Sequence, residues 1–331
     1  MTTILAQGSE HQLNQRWQQQ LLPFWHQMNH GTIESHDGRL LHYSYHLAND
    51  RRRAVVISAG RIEMAIKYTE LLYDLSSAGY SVFILDHRGQ GASARLLPNP
   101  HKGYVSTFDD YSSDLQQFMQ QVVIPQQHQQ HLAVCHSMGS AIVCHYQHQQ
   151  PAYPFDAVIL SSPMLGIYTG AIPQVLAEKL VFMLQGLNHL YDKSDSWYFP
   201  GQHNYQPKEF AKNNLTGSEA RFNWLQALYQ QYPELCLGGV TVGWLNAAIA
   251  AMRQLQQQAG QWQTPVLLLQ AADDTVVSNK QQNNWWQRLP ASLYKKRVTL
   301  AHARHELFME TDSIRNQVLQ HISQFLEQLP A

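Results

Sequence analysis

The chain has 331 residues, 44% hydrophobic and 14% charged, with 23 Lys+Arg against 24 Asp+Glu for a formal charge of -1. That length suits one large α/β domain carrying an insertion, or two domains, and is enough to bury a sizeable core. Near-neutrality excludes an overall positive field for nucleic acid and an acidic, solvating disordered chain.

Three widely spread cysteines, Cys135, Cys144 and Cys236, read as reduced thiols rather than a disulfide framework. Residues 1–24 are polar and Gln-rich, without the apolar run of roughly ten residues that marks a signal peptide. No stretch approaches the roughly 18 uninterrupted apolar residues of a spanning helix. The expectation is a cytoplasmic protein, with shallow peripheral contact on the inner membrane face left open.

In chain order, Thr32–Ser35 and Leu40–Tyr45 flank an Asp37-Gly38 turn, which predicts a hairpin. Ala54–Ser58 reads as a buried strand, Ile66–Ser77 as a helix stopped by Gly79, and Ser81–Leu85 as the next strand. Phe108–Val122 reads as a helix with Asp109 and Asp110 in its first turn. Leu132–Cys135, Met138–His148 and Ala157–Leu160 continue as strand, helix, strand. This alternation predicts βαβ units and a mostly parallel sheet flanked by helices. From Met164 to Gln261 no buried strand is legible; the alternation resumes with Pro265–Gln270, Arg297–Leu300 and a closing helix near Ser313–Leu326. The predicted organisation is a core of residues 1–163 and 262–331 interrupted by a helical cap at 164–261.

Val134-Cys135-His136-Ser137-Met138-Gly139-Ser140 joins a predicted strand to a predicted helix. A serine in such a sharp turn presents its hydroxyl to a cleft, and small residues are needed two positions either side. Gly139 meets that need, and Cys135 departs from the usual G-x-S-x-G. Where a serine at such a strand-to-helix turn acts as a nucleophile, it is followed in chain order by an acid and then a histidine. Asp273 and Asp274 lie just past the strand Leu267–Gln270, and His302 and His305 lie just past the next one. All fall at the carboxyl edge of the sheet, where open α/β sheets bind ligands. The chemistry needs this set: a base frees the serine proton, a carboxylate fixes the imidazole tautomer, and backbone donors hold the oxyanion. The N–H of Met138 is one donor; the loop Ser58-Ala59-Gly60-Arg61 supplies the other, assigned to the Arg61 N–H.

Gly60-Arg61-Ile62-Glu63, Lys67-Tyr68, Asp86-His87-Arg88-Gly89-Gln90-Gly91-Ala92-Ser93, His136-Ser137-Met138-Gly139, Pro265–Gln270 and Arg304-His305-Glu306 together resemble the bacterial lysophospholipase L2 group. That group is kin to the monoacylglycerol lipases within the α/β-hydrolase superfamily. The resemblance runs from about Thr32 to the C-terminus and is weakest through the insertion. It implies an α/β-hydrolase fold, Ser137 as nucleophile, Asp274 as acid (the D-x-V-V spacing) and His305 as base (the His305-Glu306 pair). The family's usual H-G pair is Ala59-Gly60 here, which keeps the backbone donor and removes a ring. Glu63 and Lys67, four apart at a helix start, read as a surface pair, or by resemblance as the polar end of the substrate cleft. Arg61 and Arg304 are offered as grips for a phosphate.

The expected function is a serine carboxylic-ester hydrolase needing no cofactor, releasing a fatty acid from a single-chain phospholipid. The alternatives are a monoacylglycerol lipase, a general carboxylesterase, a proline-specific peptidase, and a non-catalytic binding protein of the same fold. The peptidase needs an acidic site for the substrate amine, which the sequence does not place. His128, His131, Cys144, His145 and His148 give metal-like spacings, which 18 histidines produce by chance, so no metal is expected. Gly89 and Gly91 lack the rest of a phosphate loop and read as a turn. Ile172–Leu190 carries Val175, Leu176, Leu180, Val181, Phe182, Met183 and Leu184; such a helix suits a cap core, an acyl tunnel or a lipid surface.

Overall fold

A computed structural model describes residues 6, 8–150, 152 and 154–329. Its strands are β1 (Asn29–Glu34), β2 (Leu40–His46), β3 (Arg53–Ser58), β4 (Ser81–Leu85), β5 (Gln130–His136), β6 (Ala157–Ser161), β7 (Val266–Ala271) and β8 (Lys295–Leu300). They form one sheet in the order β1-β2-β4-β3-β5-β6-β7-β8. The β1–β2 and β2–β4 pairs are antiparallel, and every pair from β4 to β8 is parallel. Sequence dictates the split. β4, β6 and β7 are apolar runs buried along their whole length, as a strand covered on both faces must be. The edge strands β1 and β8 mix buried and exposed positions. Gly38, at φ 78°, makes the turn between β1 and β2.

The helices are α1 (Leu13–Arg16), α2 (Leu22–Gln27), α3 (Thr69–Ser77), α4 (Phe108–Phe118), α5 (Met138–Gln149), α6 (Gln174–Tyr191), α7 (Glu219–Gln231), α8 (Val242–Gln258), α9 (Asn279–Arg288) and α10 (Asp312–Glu327). Alternate residues of β3 serve two cores. Ala54 and Val56 join Leu115, Ile142, Leu255 and Trp285 on one face; Val55 and Ile57 join Leu71, Leu72, Leu319 and Ile322 on the other. A third cluster ties the N-terminal helical segment to α7 through Leu13, Trp17, Trp224 and Leu228. Trp17 and Trp224 meet edge to face at 5.2 Å.

Between β6 and β7 the described residues form α6, α7, α8, short turns and a long irregular connection between α6 and α7, with no named strand. α8 is more than a cover. Its Ala248, Ala251, Met252 and Leu255 are buried in the first core, and it packs on α4 and α5. α7 is anchored by charge: Arg221 reaches Glu70 of α3 at 2.9 Å and Asp312 of α10 at 2.8 Å. Arg16 reaches the same Glu70 at 3.1 Å. Burial would raise the Glu70 pKa, but Arg315, Arg221 and Arg16 outweigh it and hold it down at about 2. α7 is thereby fixed against the helices that flank the loops after β3 and β8.

Candidate active site

The loops after β3, β5, β7 and β8 open at the same edge of the sheet. Ser137 links β5 directly to α5 with φ 50° and ψ -115°, a backbone state that costs roughly 1–3 kcal/mol and persists only where neighbours impose it. Its N–H donates to the Ser161 carbonyl at 3.0 Å, and its own carbonyl accepts from the Met164 N–H at 3.0 Å. At Gly139 any Cβ would be driven into the carbonyls of Ser58 and Ala59. Cys135 is fully buried in the first core, so the turn accepts a cysteine where glycine is usual.

The three side chains form one chain of hydrogen bonds. His305 Nε2 lies 3.0 Å from Ser137 Oγ, and His305 Nδ1 lies 2.8 Å from Asp274 Oδ2. The other Asp274 oxygen accepts the N–H groups of Val276 (2.8 Å) and Val277 (3.0 Å). Burial alone would raise the Asp274 pKa; the His305 bond and charge and these two N–H groups outweigh it and hold it below the usual carboxylate range. Ser137, Asp274 and His305 are only 7%, 8% and 4% exposed, so their interactions are screened less than at a surface. The rival residues Asp273 and His302 are exposed and outside this chain of bonds.

Met138 is the first residue of α5, where a backbone N–H has no partner within the helix and is free to face an oxyanion. The loop carrying Arg61 lies against Gly139 of the same helix start. Around it is a buried polar network. Glu63 and Lys67 are 4% and 3% exposed, not a surface pair. Lys67 Nζ lies 2.7 Å from Glu63 and 2.9 Å from Glu306; the Tyr68 hydroxyl donates to Glu63 at 2.6 Å, and the Gly60 N–H also donates to Glu63. Burial would lower the Lys67 pKa, but Glu306 and Glu63 raise it above its ordinary value. Burial would raise Glu63, yet Lys67 and His136 bring it to about 2.

The two arginines offered to a phosphate face protein acceptors. Arg61 Nη2 donates to the carbonyls of Gly238 (3.1 Å) and Gly239 (2.6 Å), with its guanidinium 5.1 Å from the Trp244 ring centre. Arg304 Nη1 donates to the carbonyls of Asn213 (3.1 Å) and Thr216 (2.9 Å). Both therefore tie a sheet-edge loop to the insertion, which the sequence could not show because their acceptors are distant backbone.

His136 and Gln90 were legible only as parts of motifs. The His136 ring lies 4.8 Å from that of His305, and burial depresses its pKa to about 3 despite Glu63. Among the described residues no three His, Cys, Asp or Glu side chains are grouped to hold a metal ion. His145, one of the metal-like spacings, lies 2.8 Å from Asp109.

With this geometry in view, the chain matches over residues 49–312 the family described as serine aminopeptidase, S33. Lysophospholipase L2 of Escherichia coli (strain K12) is 34% identical over 309 residues, covering 92% of this chain and 89% of its own. A probable lysophospholipase L2 of Haemophilus influenzae is 27% identical over 309 residues, 93% of this chain and 95% of its own. The crystal structure of Paleococcus ferrophilus monoacylglycerol lipase superimposes with a TM-score of 0.67 at 18% identity, covering 88% of this chain and 99% of that one. The chain therefore belongs to the S33 family of α/β-hydrolases, in its lysophospholipase L2 group, and is a serine hydrolase.

Proposed function

We propose that this enzyme is a lysophospholipase, hydrolysing the carboxylic ester of a single-chain phospholipid through an acyl-enzyme on Ser137. The observation that carries the reading is the bond chain from Ser137 Oγ through His305 to Asp274. Ser137 Oγ attacks the ester carbonyl as its proton passes to His305 Nε2. Asp274 holds Nδ1–H and stabilises the imidazolium. The backbone N–H groups of Met138 and Arg61 receive the oxyanion. The tetrahedral intermediate collapses by breaking the ester C–O bond, and His305 returns its proton to the leaving alcohol. Water, deprotonated by His305, then attacks the acyl carbonyl, and the fatty acid leaves as Ser137 regains its proton. Residues 164–261 act as a cap over the acyl chain, and α6 rests on a lipid surface.

Uncharged monoacylglycerol is the second reading, favoured by one observation. Arg61, Lys67 and Arg304, the cations on the loops beside the site, are each engaged by protein acceptors. A fluorophosphonate probe should label the wild type and not Ser137→Ala. Hydrolysis of lysophosphatidylcholine, lysophosphatidylethanolamine, monoacylglycerol, p-nitrophenyl esters and proline peptides then ranks the substrates. No labelling overturns the serine mechanism; the highest kcat/KM on monoacylglycerol or on a peptide overturns the phospholipid assignment.

A further inference from the structure

We propose that Gln90 is a positioning residue that aims the Arg61 N–H at the oxyanion. This rests on the reading of that N–H as an oxyanion donor. Gln90 belongs to the turn after β4, where its N–H donates to the His87 carbonyl at 3.2 Å, and it is 2% exposed. Its side-chain amide grips the loop after β3 at three points. Nε2 donates to the carbonyls of Gly60 (2.7 Å) and Glu63 (2.9 Å), and Oε1 accepts the Ile62 N–H (3.2 Å). Those bonds hold a strained backbone, because Ile62 has φ 69°, an outlier for a β-branched residue.

The geometry of one peptide unit turns this grip into function. The Gly60 carbonyl and the Arg61 N–H belong to the same planar trans peptide, so they point in opposite directions. Gln90 draws the carbonyl to its own side and so turns the N–H away from itself. The preceding peptide is held independently, since Glu63 accepts the Gly60 N–H while Lys67 and Tyr68 hold the Glu63 carboxylate. The loop also abuts the nucleophile turn, with the Ser58 and Ala59 carbonyls where a Gly139 Cβ would sit. Without the Gln90 donor, the 60–61 peptide is free to rotate and relieve Ile62, and the oxyanion loses one of its two N–H groups. Gln90 touches no reacting atom.

The test compares Gln90→Met, which keeps the length and removes the amide, with wild type on a p-nitrophenyl ester. A long-chain alkyl trifluoromethyl ketone, whose hemiketal with Ser137 mimics the oxyanion, gives a second readout. Loss of an oxyanion donor predicts a fall in kcat of roughly 10²-fold, with KM changed little. The ketone's affinity should fall by a similar factor, as for any transition-state mimic. Gln90→Asn, which carries the same amide one methylene short of Gly60, should show the same pair of losses and serves if Gln90→Met does not fold. Wild-type kcat in a folded variant, or a kcat loss with unchanged ketone affinity, overturns the proposal and leaves Gln90 as loop packing. Undiminished kcat in Ser137→Ala would instead sink the underlying mechanism, so the two failures are separable.

Discussion

Lys67 Nζ lies 2.9 Å from Glu306 Oε2, and Glu306 directly follows His305 in the chain. Because Lys67 also holds Glu63 at 2.7 Å, one buried ammonium links the loop after β3 to the loop after β8. Its removal leaves two buried carboxylates without their cation. Breaking a buried pair typically costs about 3–5 kcal/mol, so Lys67→Met should destabilise the fold by about that much in urea denaturation. A loss under about 1 kcal/mol would put Lys67 on a par with a surface pair and refute its bridging role.

The bond chain at Ser137 predicts a ranking. Ser137→Ala and His305→Ala should each lower kcat by roughly 10⁴-fold or more with the fold intact, while His302→Ala changes little. Asp274→Asn should cost far more than Asp273→Asn, since only Asp274 holds the imidazole. Reversal of either pair would move the role to the rival residue.

Acid should unfold this protein from the histidines first. Burial depresses His87 to about 4 and His136 to about 3, from an ordinary 6.5. A depressed folded-state pKa means the unfolded chain binds protons first. This stability is therefore complete above pH 6.5 and lost as pH falls through about 4 and then 3. Glu63 and Glu70, at about 2 against an ordinary 4.5, add a later loss of the same sign. Asp86 opposes them: burial raises it to about 6, so it protonates first in the folded state and gains stability as pH falls toward 3.8. Thermal midpoints should decline below pH 6.5, less steeply in His136→Phe and more steeply in Asp86→Asn. An unchanged slope in His136→Phe would remove His136 from this account.

Strand and helix positions through the sheet were legible because continuous apolar runs leave few options. The Ile66–Ser77 helix differs only in opening with a tight turn at Ala65–Tyr68 before α3. The N-terminal helical segment and α9 were not legible. Their sequences are dominated by Gln and Asn, and what buries them is a few large residues, such as Trp17 and Trp285, meeting distant partners. Ser137, Asp274 and His305 were legible because each follows its own strand. The contacts of Gln90 and Glu306 were not, because they join separate loops.

Arg61 gives a sharp test of how the head group is handled. Its guanidinium donates to the Gly238 and Gly239 carbonyls, and the Arg61→Ala substitution keeps the backbone N–H. The variant should therefore lose kcat/KM on lysophosphatidylcholine and monoacylglycerol by the same factor, within about twofold, because the bonds it loses are to backbone carbonyls. A loss confined to the charged substrate would restore a phosphate-binding role to the side chain.

α6 is amphipathic with its apolar side outward. Val181 and Asn188 are its buried residues, while Val175, Leu176, Leu180, Phe182, Met183, Leu187, Leu190 and Tyr191 are all exposed. At 100° per residue these eight cover roughly half of the helix circumference, opposite the buried pair. Ile172 and Trp197 extend the exposed apolar surface beyond the two helix ends. Lys179, exposed in the same arc, suits a lipid interface, since its stem can lie along the apolar face while the ammonium reaches the head groups. Among the described residues no helix is long and apolar enough to cross a membrane, so the contact proposed is with the surface. With a formal charge of -1, the protein has little long-range attraction to anionic lipid, and binding should depend on apolar area. The protein should co-float with phosphatidylcholine vesicles at moderate salt almost as well as at low salt. Replacing Phe182 and Leu190 together by serine should release it without lowering kcat on a soluble p-nitrophenyl ester. Flotation that persists in this variant, or that disappears as salt rises, would place membrane contact on another surface or another force.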